Sequence, residues 1–281
     1  MKKRKIRAAI SSVLSFLIAI CSAMLVILLS LAATVFHGNF VLREMDSEFC
    51  TAMADTITES MKDVAASSAL DASVFDGLVT ASAVSRDMSL KARETMAGVS
   101  SSFDPSPLRE SLMERFHQYA KDNGYEVGEE EEDNLSNLAD LCVQEYERLT
   151  TVPFLQTFAP IRQLFDRVFP IALIGLSVLL ILMLLLLFHI HPFKHQAVRY
   201  VIYALSASSL MILPVPLVIF FQGAYTRLNI TPVQMQTLFA NLARSALLGL
   251  IIGGLLVVLI TALLFPLVKV MKNNLKKQYP G

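Results

Sequence analysis

Outside residues 37–167 this chain of 281 residues contains no aspartate and no glutamate. All 24 acids fall inside that stretch with 11 lysines and arginines, a formal net charge of −13, and the rest of the chain carries 13 basic residues. Proton-coupled transporters and intramembrane aspartyl or metalloproteases work through carboxylates held in the bilayer, so their absence from the apolar stretches argues against each of those classes. Cysteine is nearly as scarce. Three cysteines do not make a disulfide scaffold, and no Cys or His spacing matches a structural zinc site. There is no glycine-rich phosphate loop and no G-x-S-x-G turn, and His37 and His117 are the only histidines in the acidic stretch. The expectation is a protein that is not an enzyme, with no catalytic residue, no cofactor and no metal site.

What the chain has in excess is apolar side chain. Hydrophobic residues make up 54% of it and the mean hydropathy is +0.54, above the roughly 45 to 50% apolar share of soluble proteins, and the excess is clustered. The class is therefore membrane. The basic residues lie in short groups beside apolar runs and form no basic face on a folded domain. Nucleic acid is thus not an expected partner, and anionic lipid head groups at the basic termini are.

Lys2, Lys3, Arg4, Lys5 and Arg7 precede an apolar run from Ala8 to about Phe36. A signal-peptide core is about 7 to 15 residues, so the run reads as a retained anchor despite a cleavage-like Ser30-Leu31-Ala32. Three further spans are expected at 168–188, 198–221 and 242–268, each near the 20 residues that cross about 30 Å of hydrocarbon. Pro214 and Pro216 signal a kink in the third, and residues 222–241 form a short loop. The expected domains are 1–36, basic tail and first span; 37–167, acidic helical extracytoplasmic domain; and 168–281, three-span membrane domain with a basic tail. The fold class is all-α: four transmembrane helices with a helical extracytoplasmic bundle inserted between the first and second spans.

Within 37–167 the apolar residues recur at helical spacing. Leu42, Met45, Phe49, Met53, Ile57, Met61 and Val64 form one stripe, on a helix expected to continue directly out of the first span. Residues 71–99 are weaker, with Gly77 and Gly98 arguing against one continuous helix. Ser106-Pro107 marks a helix start, Leu108, Leu112, Phe116 and Tyr119 its stripe, and Asp122-Asn123-Gly124 its stop. Glu129 to Asp133 lacks the EF-hand ligand pattern and is expected as a solvated loop. Asn134 then caps a last helix carrying Leu135, Leu138, Cys142, Tyr146 and Leu149. Pro153 and Pro160 are expected to break the approach to the second span, leaving a short amphipathic segment at the membrane interface.

Few residues stand out as candidate sites. Cys50 and Cys142 are the pair that an oxidising compartment could join; a bridge closing about 90 residues contributes about 4 to 5 kcal/mol on the chain-entropy model. Ser245, Gly249 and Gly253 recur every four residues in the last span, a small-residue stripe for helix packing, within the protein or in a homo-oligomer through the fourth span. His189, His191 and His195 cluster in a turn with Pro192 and Lys194 after the second span, a polar set with metal-binding or titrating capacity. Arg244 is the charge placed nearest the membrane interior and suits a lipid phosphate or snorkelling.

Four spans put both termini on one side. That side collects five N-terminal charges, four C-terminal charges (Lys269, Lys272, Lys276 and Lys277), Lys194 and Arg199, and the positive-inside rule makes it the cytoplasm. Residues 37–167 are then outside a plasma membrane, and the lysine-rich ends and few cysteines lean toward a bacterial source. The cytoplasmic side is too small for an output domain, so the expected function is non-enzymatic binding of a partner or ligand by the outer domain, as scaffold, receptor or accessory subunit of an envelope complex. The alternative comes from layout. The order span, large outer domain, span, short inner turn, span, short outer loop, span is similar to that of FtsX and MacB-type ABC permeases, which implies a subunit driven by a separate ATPase. No residue motif carries over.

Overall fold

A computed structural model describes residues 2–37, 40–68, 70–191, 193–227 and 229–278, with the backbone alone at 2–5 and 273–278. Pro192 of the expected histidine turn, and the side chains of Lys2, Lys3, Arg4, Lys5, Lys276 and Lys277, lie outside the described residues. The protein is 84% helical, and no strand occurs among the described residues. The helices are α1 (Lys2–Ala33), α2 (Phe40–Glu44), α3 (Ser47–Ala65), α4 (Ala81–Ala97), α5 (Ser106–Asp122), α6 (Glu129–Thr150), α7 (Pro153–Ile190), α8 (Lys194–Ile212), α9 (Pro214–Gln222) and α10 (Val233–Gln278). Short 3₁₀ turns lie at Ala72–Phe75 and Ala224–Thr226.

Four helical stretches are long and apolar enough to cross a membrane: Ile6–Ala33, Pro153–Ile190, Lys194–Gln222 and Val233–Lys272. The chain divides into two compact units. One, the apolar unit, comprises Met1–Gly38, Leu164–Arg227 and Ala240–Gly281; the other, the acidic unit, comprises Asn39–Gln163 and Leu228–Phe239.

In the apolar unit α1 packs along α8. Leu14, Ile18 and Ala19 of α1 form a buried cluster with Leu187 of α7 and with Ala197 and Ala204 of α8. Polar side chains on α1 join this face: Ser11 is fully buried, and Ser15 Oγ donates to the Tyr200 carbonyl at 2.9 Å. Each small hydroxyl satisfies itself at short range, which lets two backbones approach in a way that leucines would prevent. Val26 and Ser30 farther along α1, and Thr34 just past its end, meet the glycines of α10: a Cβ at Gly249 would land on Thr34, and one at Gly253 on Ser30 and Val26. On α10's next face, a Cβ at Gly254 would come within 2.6 Å of Leu213. Leu213 is the junction where α8 stops and Pro214 starts α9, a break at the signalled proline.

The acidic unit is built on α3, which packs against both α4 and α6, while α5 packs on α6. The buried face of α3 is Cys50, Met53, Ala54, Ile57, Met61 and Ala65. Leu112, Phe116 and Ala120 of α5 and Ala139, Cys142, Val143, Tyr146 and Leu149 of α6 complete the core. The rings of Phe75 and Phe116 meet edge-on at 5.9 Å. Arg115 ties the 3₁₀ turn to α5 by donating to the carbonyls of Val74 (2.9 Å) and Asp76 (2.7 Å). Arg109 likewise ties α5 to α6 through Asp140 (2.6 Å) and Ser136 (2.7 Å).

Several sequence expectations are corrected. The Met-rich helix does not continue out of the first span: α1 ends at Ala33, and α3 starts afresh at Ser47, where the Asp46 side chain accepts from the Phe49 amide at 2.8 Å. An Asp that caps the amides of a new first turn competes with helix continuation. The run Glu129 to Asp133 is not a loop but the first turn of α6, because carboxylates stabilise the exposed amides at a helix N-terminus. Glu131 also accepts from the Gly128 amide at 3.1 Å, so Asn134 is interior and not a cap. Ser106 is the first residue of α5 instead of its cap, with the Asp104 carboxylate accepting its amide at 3.0 Å. Pro153 opens α7, and the helix continues through Pro160 and Pro170 instead of breaking. Pro160 is exposed, as is Gln156 four residues before it, so the carbonyl freed by the missing amide lies on an open helix face. The last long helix starts at Val233, shortening the expected loop at 222–241. Gly77 and Gly98, both with φ near +70°, do interrupt 71–99, and the Asn123-Gly124 stop ends α5 as read.

Candidate functional site

Two features of the acidic unit bring chemistry together. The first is a buried polar bridge between α4 and α6. Asp87 and Lys91 stand one turn apart on α4, opposite Tyr146 and Thr150, one turn apart on α6. The Tyr146 hydroxyl donates to Asp87 Oδ2 at 2.7 Å, and Arg86 Nε donates to Oδ1 at 2.9 Å. Lys91 Nζ donates to Thr150 Oγ1 at 2.7 Å, and Thr150 passes its own proton to the Tyr146 carbonyl at 2.7 Å. The Phe103 ring closes the bridge, with Lys91 Nζ 4.2 Å from its centroid and Tyr146 stacked on it at 5.9 Å. Asp87 is 7% exposed and Lys91 9%. Burial holds the Lys91 ammonium below its usual range, partly opposed by Glu147 and Asp87, and burial together with Asp87 pushes the Tyr146 phenol up. A cavity of about 340 Å³ adjoins the bridge, with Arg86, Asp87, Phe103 and Tyr146 in its wall.

The second feature is a groove of about 650 Å³ lined by the end of α3, by α5, by the Tyr125–Val127 connection and by the start of α6. Phe116, Tyr119, Leu135, Leu138 and Leu141 supply its apolar wall. Large side chains are left open along it: Tyr125 is 58% exposed and Leu141 52%. Glu126 and Glu131 line the groove, whereas among the described residues no lysine or arginine does. Between α5 and α6 His117 Nε2 lies 2.7 Å from Glu132, and that contact raises the imidazole above its ordinary range.

The sequence-derived candidates are scattered. Cys50 on α3 and Cys142 on α6 are buried free thiols. Burial raises both, Cys142 to about 11 with Glu145 adding to the effect. A thiol that stays protonated is a poor nucleophile. Both are therefore expected to resist a maleimide for hours in the folded protein and to react within minutes in denaturant, as read by mass spectrometry; fast labelling of native protein would contradict this burial.

His189 is exposed, while His191 is buried with Nε2 3.4 Å from Ser11 Oγ and Nδ1 3.1 Å from the Leu187 carbonyl. His195 is half-buried beside Phe193, at 5.8 Å between rings. Among the described residues, no three His, Cys, Asp or Glu side chains converge as metal ligands. Arg244 is exposed and Ser245 half-buried, while Gly249 and Gly253 meet α1 of the same chain. Sequence reading missed Asp87 and Lys91. The signal was present, since both fall on the stripe of Val84, Met88, Ala92 and Met96, where a charged residue at a core position needs a buried partner.

An all-helical chain with four stretches fit to cross a bilayer belongs to the class of multi-pass membrane proteins. Comparison with protein-family models, curated proteins and solved structures gives no match to this chain.

Proposed function

We propose that this is a non-enzymatic membrane protein whose acidic helical domain, the stretch 37–167, stands outside the cytoplasm and binds a partner there. The groove of about 650 Å³ carries this reading, because exposed large apolar side chains around a concavity mark interaction sites more often than chance solvent exposure does. Its orientation is supported by the segregation of charge: every acid lies in 37–167, and both tails are basic. The buried bridge and the raised thiols support a structural role for the titratable groups of the core, which leaves the surface to do the binding.

A photoreactive phenylalanine analogue at position 141, in living cells, tests this reading. Position 99 serves as the control, since Val99 is 62% exposed on the same unit but does not line the groove. The expected result is a discrete adduct from position 141 that is absent from position 99 and lost when Tyr125→Glu is added. Equal adducts from both positions, or none from either, would count against the groove as the binding surface.

A further inference from the structure

Taking the groove as the binding surface, we infer that its occupant is an amphipathic helix with basic residues flanking its apolar face. The apolar wall asks for aliphatic or aromatic anchors. A concavity of about 650 Å³ lies within the roughly 300 to 1,000 Å³ of sites that bury their ligands, and a helix delivers such anchors at i, i+3, i+4 and i+7. The charge around the groove selects among apolar partners. Glu126 and Glu131 are both in the wall, and neither forms an ion pair among the described residues. Among the described residues no basic side chain lines the groove to offset them.

That imbalance excludes three other occupants. A second copy would bring its own acidic stretch, net −13, against the same rim. Anionic lipid head groups and nucleic acids meet the same repulsion. A basic amphipathic helix instead places its lysines or arginines against the Glu126 and Glu131 carboxylates, whose field reaches about 8 Å at physiological salt, while its apolar face enters the groove. The rim contacts are solvent-exposed and govern encounter rate and salt dependence; the apolar anchors govern residence time.

The test uses the full chain in zwitterionic lipid nanodiscs, with empty nanodiscs as the blank for membrane binding. The probe is a fluorescein-labelled 18-residue helix of leucine and lysine, compared with one that has glutamate in place of lysine, read by anisotropy. The lysine helix is expected to bind above the blank and the glutamate helix not. Neutralising the rim with Glu126→Gln and Glu131→Gln should weaken binding about fivefold, as expected for exposed ion pairs. Leu141→Glu should abolish it. Leu141→Ser is the milder companion, and far-UV circular dichroism of both verifies that helix content is unchanged. Lysine-helix binding that ignores both the rim and position 141 overturns the inference, as does equal binding of the glutamate helix. If neither helix binds while photo-adducts still form from position 141, the partner class is wrong and the groove reading survives; if those adducts also fail, both fall together.

Discussion

Gly253→Leu is expected to lower the melting temperature of the detergent-solubilised protein by about 2 to 12 °C, whereas Gly175→Leu leaves it unchanged or slightly raised. The two glycines share a residue type and differ in what faces them. A Cβ at Gly253 would land on Ser30 and come within 3.1 Å of Val26 on α1, while one at Gly175 meets nothing within 4 Å. Between helices in lipid there is no hydrophobic gain from contact, so association rests on close van der Waals fit, and a leucine at the crossing removes it along the whole interface. Overpacking costs about 1 to 3 kcal/mol, and for a chain of this size 1 kcal/mol moves the melting point about 2 to 4 °C. At the open position leucine only relieves glycine's entropic cost in a helix, about 0.5 to 1 kcal/mol. Gly249→Val should resemble Gly253→Leu, because its side chain would meet Thr34 just past the end of α1. Equal melting points for Gly253→Leu and Gly175→Leu would contradict the α1 to α10 crossing.

Asp87→Ala should cost the acidic unit about 3 to 5 kcal/mol, the usual penalty for breaking a buried charged network from one side. The carboxylate accepts from Tyr146 and Arg86 and acts on the buried Lys91 ammonium; its loss strands the Tyr146 hydroxyl and leaves Glu147 to offset that ammonium without it. Asp87→Asn retains an acceptor for Tyr146 and should cost less than half as much. The bridge also leaves a signature in alkali. Because burial lowers Lys91 in the folded state, the unfolded chain holds that proton to higher pH, and stability rises from the lowered value up to about 10.4. Tyr146 is raised, so the folded state keeps its proton longer, and stability falls as pH climbs above about 10. Lys91→Met should flatten the rise and Tyr146→Phe the fall, in denaturant titrations followed by circular dichroism. A wild-type rise that survives Lys91→Met would exclude this lysine as its source.

How much of this could be read in advance depended on which force dominated locally. Hydrophobic length was legible, and the chain does hold four helices able to cross a membrane. So were the stripes through Leu112, Phe116, Cys142 and Tyr146, because burial follows helical period. The failures came where a backbone group overrode composition. Five consecutive acids look like solvated loop by charge repulsion alone, yet four of them sit where unpaired amides and the helix dipole reward negative charge. Asp46 interrupts an otherwise helical pattern because its side chain substitutes for the missing turn. The α4 to α6 bridge was hidden for a different reason: Asp87 and Tyr146 are 59 residues apart, and only the fold brings them within 2.7 Å. The groove was likewise unreadable, since its wall draws on three helices whose apolar residues are individually ordinary.

The account rests on the acidic unit being presented outside the cytoplasm by the four-span anchor, and single cysteines test that most directly. The native thiols Cys21, Cys50 and Cys142 are all buried, so background labelling is low, and Glu130 and Lys269 are exposed positions in 37–167 and near the end of the last span. With a membrane-impermeant maleimide applied to intact cells stripped of any outer wall, Glu130→Cys should label fully and Lys269→Cys only after the membrane is permeabilised. Labelling of Lys269→Cys from outside, with Glu130→Cys protected, would put the acidic unit in the cytoplasm and contradict the account.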